Sequence, residues 1–158
     1  MPTREEIVAH LEQLAEPDYA RFSSSLIPHC PPMLGVRLPA LRRYARVLAA
    51  DPDASLAALG TELFEERMLR GMVISYAKLP DETRRALLEA HLPLADNWSL
   101  CDSAAAGCKW MAKTPEFWLP WLRELARREA EFSARFGLVC LLDHFTATPE
   151  GRRQTLQA

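Results

Sequence analysis

Leu41, Tyr44, Ala45 and Leu48 fall at intervals of three and four, the spacing of a helix that buries one face. Arg42, Arg43 and Arg46 fall off that stripe, so the same helix presents guanidiniums elsewhere. Pro39 suits its first turn, where a missing N–H costs nothing. Upstream, Thr3 with Glu6 three residues on forms a capping box that opens a helix running to about Glu16. Pro17 stops it, and a second helix reaches to about Ile27. The stretch PHCPPMLGVRLP reads as a loop, because Pro28, Pro31 and Pro32 fix φ and remove donors. Downstream the pattern predicts a short helix over 54–63 and a longer one over 65–78, with Met68, Met72, Ile74 and Tyr76 among its apolar positions. Further helices follow over 81–91, 97–113, 116–128 and 132–145, punctuated by Pro80, Pro93 and Pro115.

Helices that pair across Pro-containing turns at roughly 30–40 residue spacing predict an all-α fold. The expected form is an α-α superhelix of HEAT-like pairs, a single domain over 1–158. Sparse glycine and β-branched residues, with abundant Ala, Leu, Arg and Glu, agree with helices throughout. The 132–145 helix spreads Phe136, Leu138, Val139, Leu141, Leu142 and Phe145 over more than one face. The tail TATPEGRRQTLQA offers only Leu156 as a large apolar residue. The last helix is therefore expected to lack a capping partner, which points to a homo-oligomer through that end.

Hydrophobic residues make up 49% of the 158 and charged residues 25%, which rules out disorder over most of the length. No apolar run approaches the roughly 18–20 residues of a membrane span, and acids interrupt the N-terminus where a signal peptide needs an apolar stretch. No membrane partner is expected. Cys30, Cys101, Cys108 and Cys140 are too few and too embedded in apolar sequence for a disulfide framework, so a cytoplasmic location is expected. The net charge of −2 argues weakly against nucleic acid as a whole-molecule property. Its distribution argues otherwise: from Gly35 to Asp51 the chain carries Arg37, Arg42, Arg43 and Arg46 with no acid before Asp51, enough for a phosphate-facing edge or merely a solvated helix face.

No phosphate loop, dinucleotide fingerprint or zinc-protease motif occurs. Cys101 and Cys108, with His91 upstream, lack the tight spacing and four ligands of a zinc site and read as buried thiols; no metal is expected. Trp118 and Trp121, three apart, read as a core face rather than a base-stacking platform. The strongest chemical signal is DNWSLCDS. Trp98 and Asp102 are four apart on one helix face. A carboxylate on so apolar a helix needs a cationic partner, a capping role or a ligand, and Arg135, one helix pair onward, is the partner candidate.

The runs RFSSSLIPHCPPMLGVRLPALRRYAR, FEERMLRGMVISYAK, LADNWSLCDSAAAGCKWMAK and EFWLPWLRELARREAEFSARFGLVCLLDHF, in this order, resemble the DNA alkylation repair (AlkD-like) proteins. The resemblance covers nearly everything from Tyr19 to Phe145. It implies a helical-repeat solenoid with a basic concave surface for double-stranded DNA containing alkylated bases. It also implies a monofunctional glycosylase that releases positively charged purines alkylated at N3 or N7, without extruding the base. The family's catalytic aspartate, four residues after a tryptophan, matches Asp102 and Trp98, and an arginine one repeat later matches Arg135. Arg135, Arg37, Arg42, Arg43, Arg46 and Lys109 are then the DNA-binding candidates. No cofactor is implied, and the location becomes nucleoid-associated when DNA is bound. The family usually runs on for several more helices and uses a further tryptophan there, so the chain reads as shortened at its C-terminus. The alternative function is a catalytically inactive helical-repeat module that binds DNA or protein.

Overall fold

The computed structural model describes residues 2–158, and among these there are ten α-helices and no strand. In chain order they are α1 (Arg4–Gln13), α2 (Pro17–Ser25), α3 (Leu38–Leu48), α4 (Pro52–Ala58), α5 (Phe64–Tyr76), α6 (Asp81–His91), α7 (Trp98–Gly107), α8 (Pro115–Leu125), α9 (Glu131–Phe145) and α10 (Pro149–Leu156). Short 3-10 turns cover Leu92–Leu94 and Lys109–Lys113. Local chemistry sets most of the starts. The Thr3/Glu6 capping box closes in both directions. Asp51, Asn97 and Thr148 each accept a hydrogen bond from an otherwise unpaired N–H in the first turn of α4, α7 and α10.

Helices α3, α5, α7 and α9 pack in succession into one layer, while α4 and α6 lie on α5, and α8 and α10 lie on α9. The layer is parallel, because equivalent ends meet. Arg46 near the end of α3 lies over the Tyr76 ring at the end of α5. The Ser75 hydroxyl donates to the Ala104 carbonyl of α7, and His144 of α9 meets the Ala105 carbonyl. This is the expected α-α superhelix of helix pairs. Two apolar cores run through it. One gathers Ile7, Leu11, Leu41, Leu48, Leu69, Met72 and Leu100; the other gathers Leu88, Ala104, Met111, Trp118, Leu122, Phe136 and Leu141. Trp118 and Trp121 belong to the second core, as their spacing predicts.

Two expectations fail. The segment 97–113 is not one helix: α7 ends at Gly107, and Cys108 leads into a 3-10 turn. A Cβ on Gly107 would stand 2.5 Å from that of Ser75, so glycine there admits close packing of α5, and the apolar run continues past the end of the helix. The predicted 132–145 helix also does not lack a capping partner: the tail forms α10. Thr148 caps α10, Pro149 starts it, and Gly151 turns so tightly against the Phe145 carbonyl that any Cβ would collide. The helix is held on α9 and α8 mainly by polar contacts: Thr155 donates to the Leu141 carbonyl, Arg123 to Gln154, and Arg127 to the Gln157 carbonyl. The end of α9 therefore has a cap, and the apolar positions still exposed on it are Leu138 and Leu142.

Candidate functional site

Trp98 opens α7, where the Asn97 side chain accepts from the Leu100 N–H. Asp102 follows one turn later, on the side of α7 that the second core leaves open. That core takes Cys101, Ala104, Ala105 and Cys108 instead. Trp98 is 43% exposed, and its indole N–H donates to the Leu26 carbonyl at 3.4 Å. Asp102 is met from α9 by Arg135 in a two-point ion pair, Nε to Oδ1 and Nη2 to Oδ2, both 2.7 Å. About a third of the Asp102 side chain and two fifths of that of Arg135 remain exposed. The carboxylate hydrogen bonds raise the Arg135 pKa further above its ordinary value. Each carboxylate oxygen keeps a second lone pair, so the pair fixes the orientation of Asp102 without exhausting it as an acceptor.

The predicted cations separate into two sets. Arg42, Arg46 and Lys109 come together in a groove of about 630 Å³ across the C-terminal ends of α3, α5 and α7, with Tyr76 and Ser103 in its wall. An adjoining hollow of about 380 Å³ adds Lys78 beside Arg46 and Tyr76. None of Arg42, Arg46, Lys78 and Lys109 forms an ion pair among the described residues. Ser103 follows Asp102 directly, and Ala106, one turn beyond Asp102 on the same side of α7, also lines the groove. The groove and the carboxylate thus share the open face of the layer. Arg37 and Arg43 do not join them. Arg37 is paired with Glu16 and stacked on Tyr19, and Arg43 borders an apolar hollow between α1 and α3 with His10, Leu14, Tyr44 and Val47.

Tyr76 and Lys78 are groove residues that the sequence pattern does not single out. Tyr76 reads as one more apolar position of its helix, and only the parallel register of α3 and α5 brings it beneath Arg46. Among the described residues no three His, Cys, Asp or Glu side chains gather as metal ligands. Cys101, Cys108 and Cys140 are core groups: burial pushes the Cys101 thiol up to about 12 and raises Cys140 as well, and neither of these two is nucleophilic there. No described helix is long and apolar enough to cross a membrane.

A family model described as DNA alkylation repair enzyme matches residues 7–157. The chain belongs to this DNA alkylation repair family. The match takes in all the site residues above and runs on through α10. No curated protein and no solved structure matches the chain. Membership points to DNA as the substrate class. For a DNA alkylation repair protein the contrast between paired and unpaired arginines is informative, since a guanidinium already held by a carboxylate has less to give a phosphate.

Proposed function

We propose that the protein is a DNA glycosylase that hydrolyses the N-glycosidic bond of positively charged N3- or N7-alkylated purines. The observation that carries this reading is Asp102: an oriented, part-exposed carboxylate one turn from an exposed tryptophan, on the face that also holds the unpaired cations. An alkylated purine already bears the positive charge of a good leaving group and needs no protonation. What remains is to stabilise the developing oxocarbenium sugar and to hold a water for attack. A fixed carboxylate serves both tasks, through charge and through its free lone pairs. The Trp98 face receives the cationic sugar or base by a cation–π contact, worth about 1–2 kcal/mol when desolvated. Arg42, Arg46 and Lys109, joined by Lys78, hold phosphates of double-stranded DNA in the groove, with no dependence on sequence.

Arg135 has two roles available in this reading. It orients Asp102 through Nε and Nη2, and its Nη1, which has no hydrogen-bond partner among the described residues, is left to meet a phosphate. An ion pair so exposed contributes only about 0–1 kcal/mol to stability, so its use in this reading is to orient the carboxylate. The same pair also favours a second reading, a DNA-binding module without catalysis in which Asp102 serves only to hold α9 against α7. Release of free base from DNA carrying N7-methylguanine separates the two. The glycosylase releases base in proportion to protein and loses this with Asp102→Asn, whereas the binding module retains DNA and releases none.

A further inference from the structure

Four consecutive residues at the start of α5, Phe64 to Arg67, reach in four directions. The Phe64 N–H donates to the Pro32 carbonyl of the loop between α2 and α3. Glu65, only 1% exposed, accepts the backbone N–H groups of Leu34, Gly35 and Val36 at 3.1, 2.8 and 3.2 Å. Glu66, fully buried, accepts from Gly60 and Leu63 and from Arg4 of α1. Burial alone would push the Glu66 carboxyl up, but those hydrogen bonds outweigh it and hold the group below the usual range. Arg67 donates to the Thr61 carbonyl at 2.7 Å and to Asp96, two residues before Trp98, at 3.0 Å.

Two of these contacts lead, through short stretches of chain, to Trp98. Arg67 grips the chain where it enters α7. Glu65 grips the loop that follows α2, and the Leu26 carbonyl at the end of α2 is what accepts the Trp98 indole N–H. That loop cannot settle elsewhere. Gly35 has φ +88°, and a Cβ there would collide with the Glu16 carbonyl and lie 2.9 Å from the Ala20 Cβ, so the loop is pressed onto the first turn of α2. The Glu16 N–H in turn donates to the Gly35 carbonyl. A buried carboxylate with three N–H donors is a stiff joint, because losing any of the bonds strands a donor out of water. No ion pair competes for Glu65 among the described residues.

We infer that Glu65 and Arg67 are positioning residues for Trp98, fixing the indole one turn before Asp102 through the α2 loop and through the entry to α7. The catalytic consequence rests on the glycosylase reading; the positional one does not. Misplacing a contact by about 1 Å costs up to about a hundredfold in rate, so loss of either grip matters even though neither residue touches DNA.

The test uses the full chain labelled with 5-fluorotryptophan, with Trp98→Phe to assign one of its four fluorine resonances. In Glu65→Gln, Arg67→Gln and Asp96→Asn the Trp98 resonance shifts or broadens, while those of Trp110, Trp118 and Trp121, packed around the other core, stay in place. Arg67→Lys keeps the charge opposite Asp96 and returns the Trp98 resonance toward its original position. Base release in the three disrupting variants falls by on the order of tenfold, with affinity for undamaged duplex unchanged. If Glu65→Gln fails to fold, all four resonances collapse together, and the half-exposed Asp96→Asn pair decides. A Trp98 resonance unmoved in Asp96→Asn and Arg67→Gln overturns the inference. A wild type that releases no base overturns the glycosylase reading instead, and the resonances still report on the two grips.

Discussion

At the scale of single residues, Asp102 and His91 show how differently two polar groups are treated by one helical layer. Asp102 is presented at the surface and oriented by Arg135, and removing only its charge is the sharpest perturbation of the proposed chemistry. Asp102→Asn is expected to lower base release by on the order of 10²-fold or more, the scale of losing a main electrostatic stabiliser. Its melting temperature stays close to the wild type, because the ion pair it breaks is exposed. His91 is the opposite case. It is only 3% exposed, and both ring nitrogens lack a hydrogen-bond partner in the protein. Burial, helped by the nearby Arg70 charge, pushes its pKa down from 6.5 to about 4. The folded protein holds the ring neutral, while the unfolded chain takes up a proton below about 6.5. Stability is therefore lost as pH falls from 6.5 and levels off once pH passes about 4, a total of about 3 kcal/mol from this group. Chemical denaturation of His91→Gln beside the wild type across that window checks it: the wild type loses stability more steeply. Equal slopes would show that His91 does not titrate in this way. Cys101, Cys108 and Cys140 are all buried, which shields those three thiols from oxidation.

At the scale of elements, the proposed mechanism assigns its two tasks to different parts of the layer. The N-terminal halves of α7 and α9 carry Trp98, Asp102 and Arg135, while the free cations come from the middle and end of α3 (Arg42, Arg46), the chain after α5 (Lys78) and the turn after α7 (Lys109). Reversing Arg42 and Arg46 to Glu should weaken binding to every duplex alike and flatten the slope of log affinity against log salt by about 2, or more through repulsion. The same reversal at Arg37, already held by Glu16, should change binding far less. Fluorescence anisotropy across a salt series separates the two, and equal effects would dissolve the distinction between paired and free arginines. Much of this is legible in the sequence. The capping box at Thr3, the Asp81–His91 helix, the off-stripe placement of Arg42 and Arg46 and the pairing of Asp102 with Arg135 all follow from spacing and from the cost of an unpaired carboxylate. What is not legible depends on contacts distant in sequence or on polar packing. Tyr76 joins the groove only through the register of α3 on α5. Arg37 is withdrawn by Glu16, which lies in a different helix connection. Helix α10 escapes notice because its small apolar content hides a usable start, Thr148-Pro149, the same signal that marks Thr114-Pro115.

At the scale of the whole molecule, a two-layer superhelix leaves one face of its parallel layer open, and that face combines a carboxylate, an aromatic ring and a groove of unpaired cations. With α10 capping α9, the exposed apolar positions of α9 reduce to Leu138 and Leu142, far short of the roughly 1,200 Å² that a specific interface buries. The chain is expected to scatter light as a monomer across a concentration series, and a concentration-dependent dimer lost in Leu138→Asp would show that the pair suffices after all. In the proposed mechanism this one face both binds duplex DNA and breaks the glycosidic bond, with the two tasks in different residues. The decisive measurement is single-turnover base release from a duplex with one N7-methylguanine, followed as rate against protein concentration. Asp102→Asn should lower the saturating rate by on the order of 10²-fold at unchanged half-saturation, and Arg42→Glu with Arg46→Glu should raise half-saturation at an unchanged saturating rate. Base release by Asp102→Asn at the wild-type rate, or none from the wild type at any concentration, would contradict that division of labour.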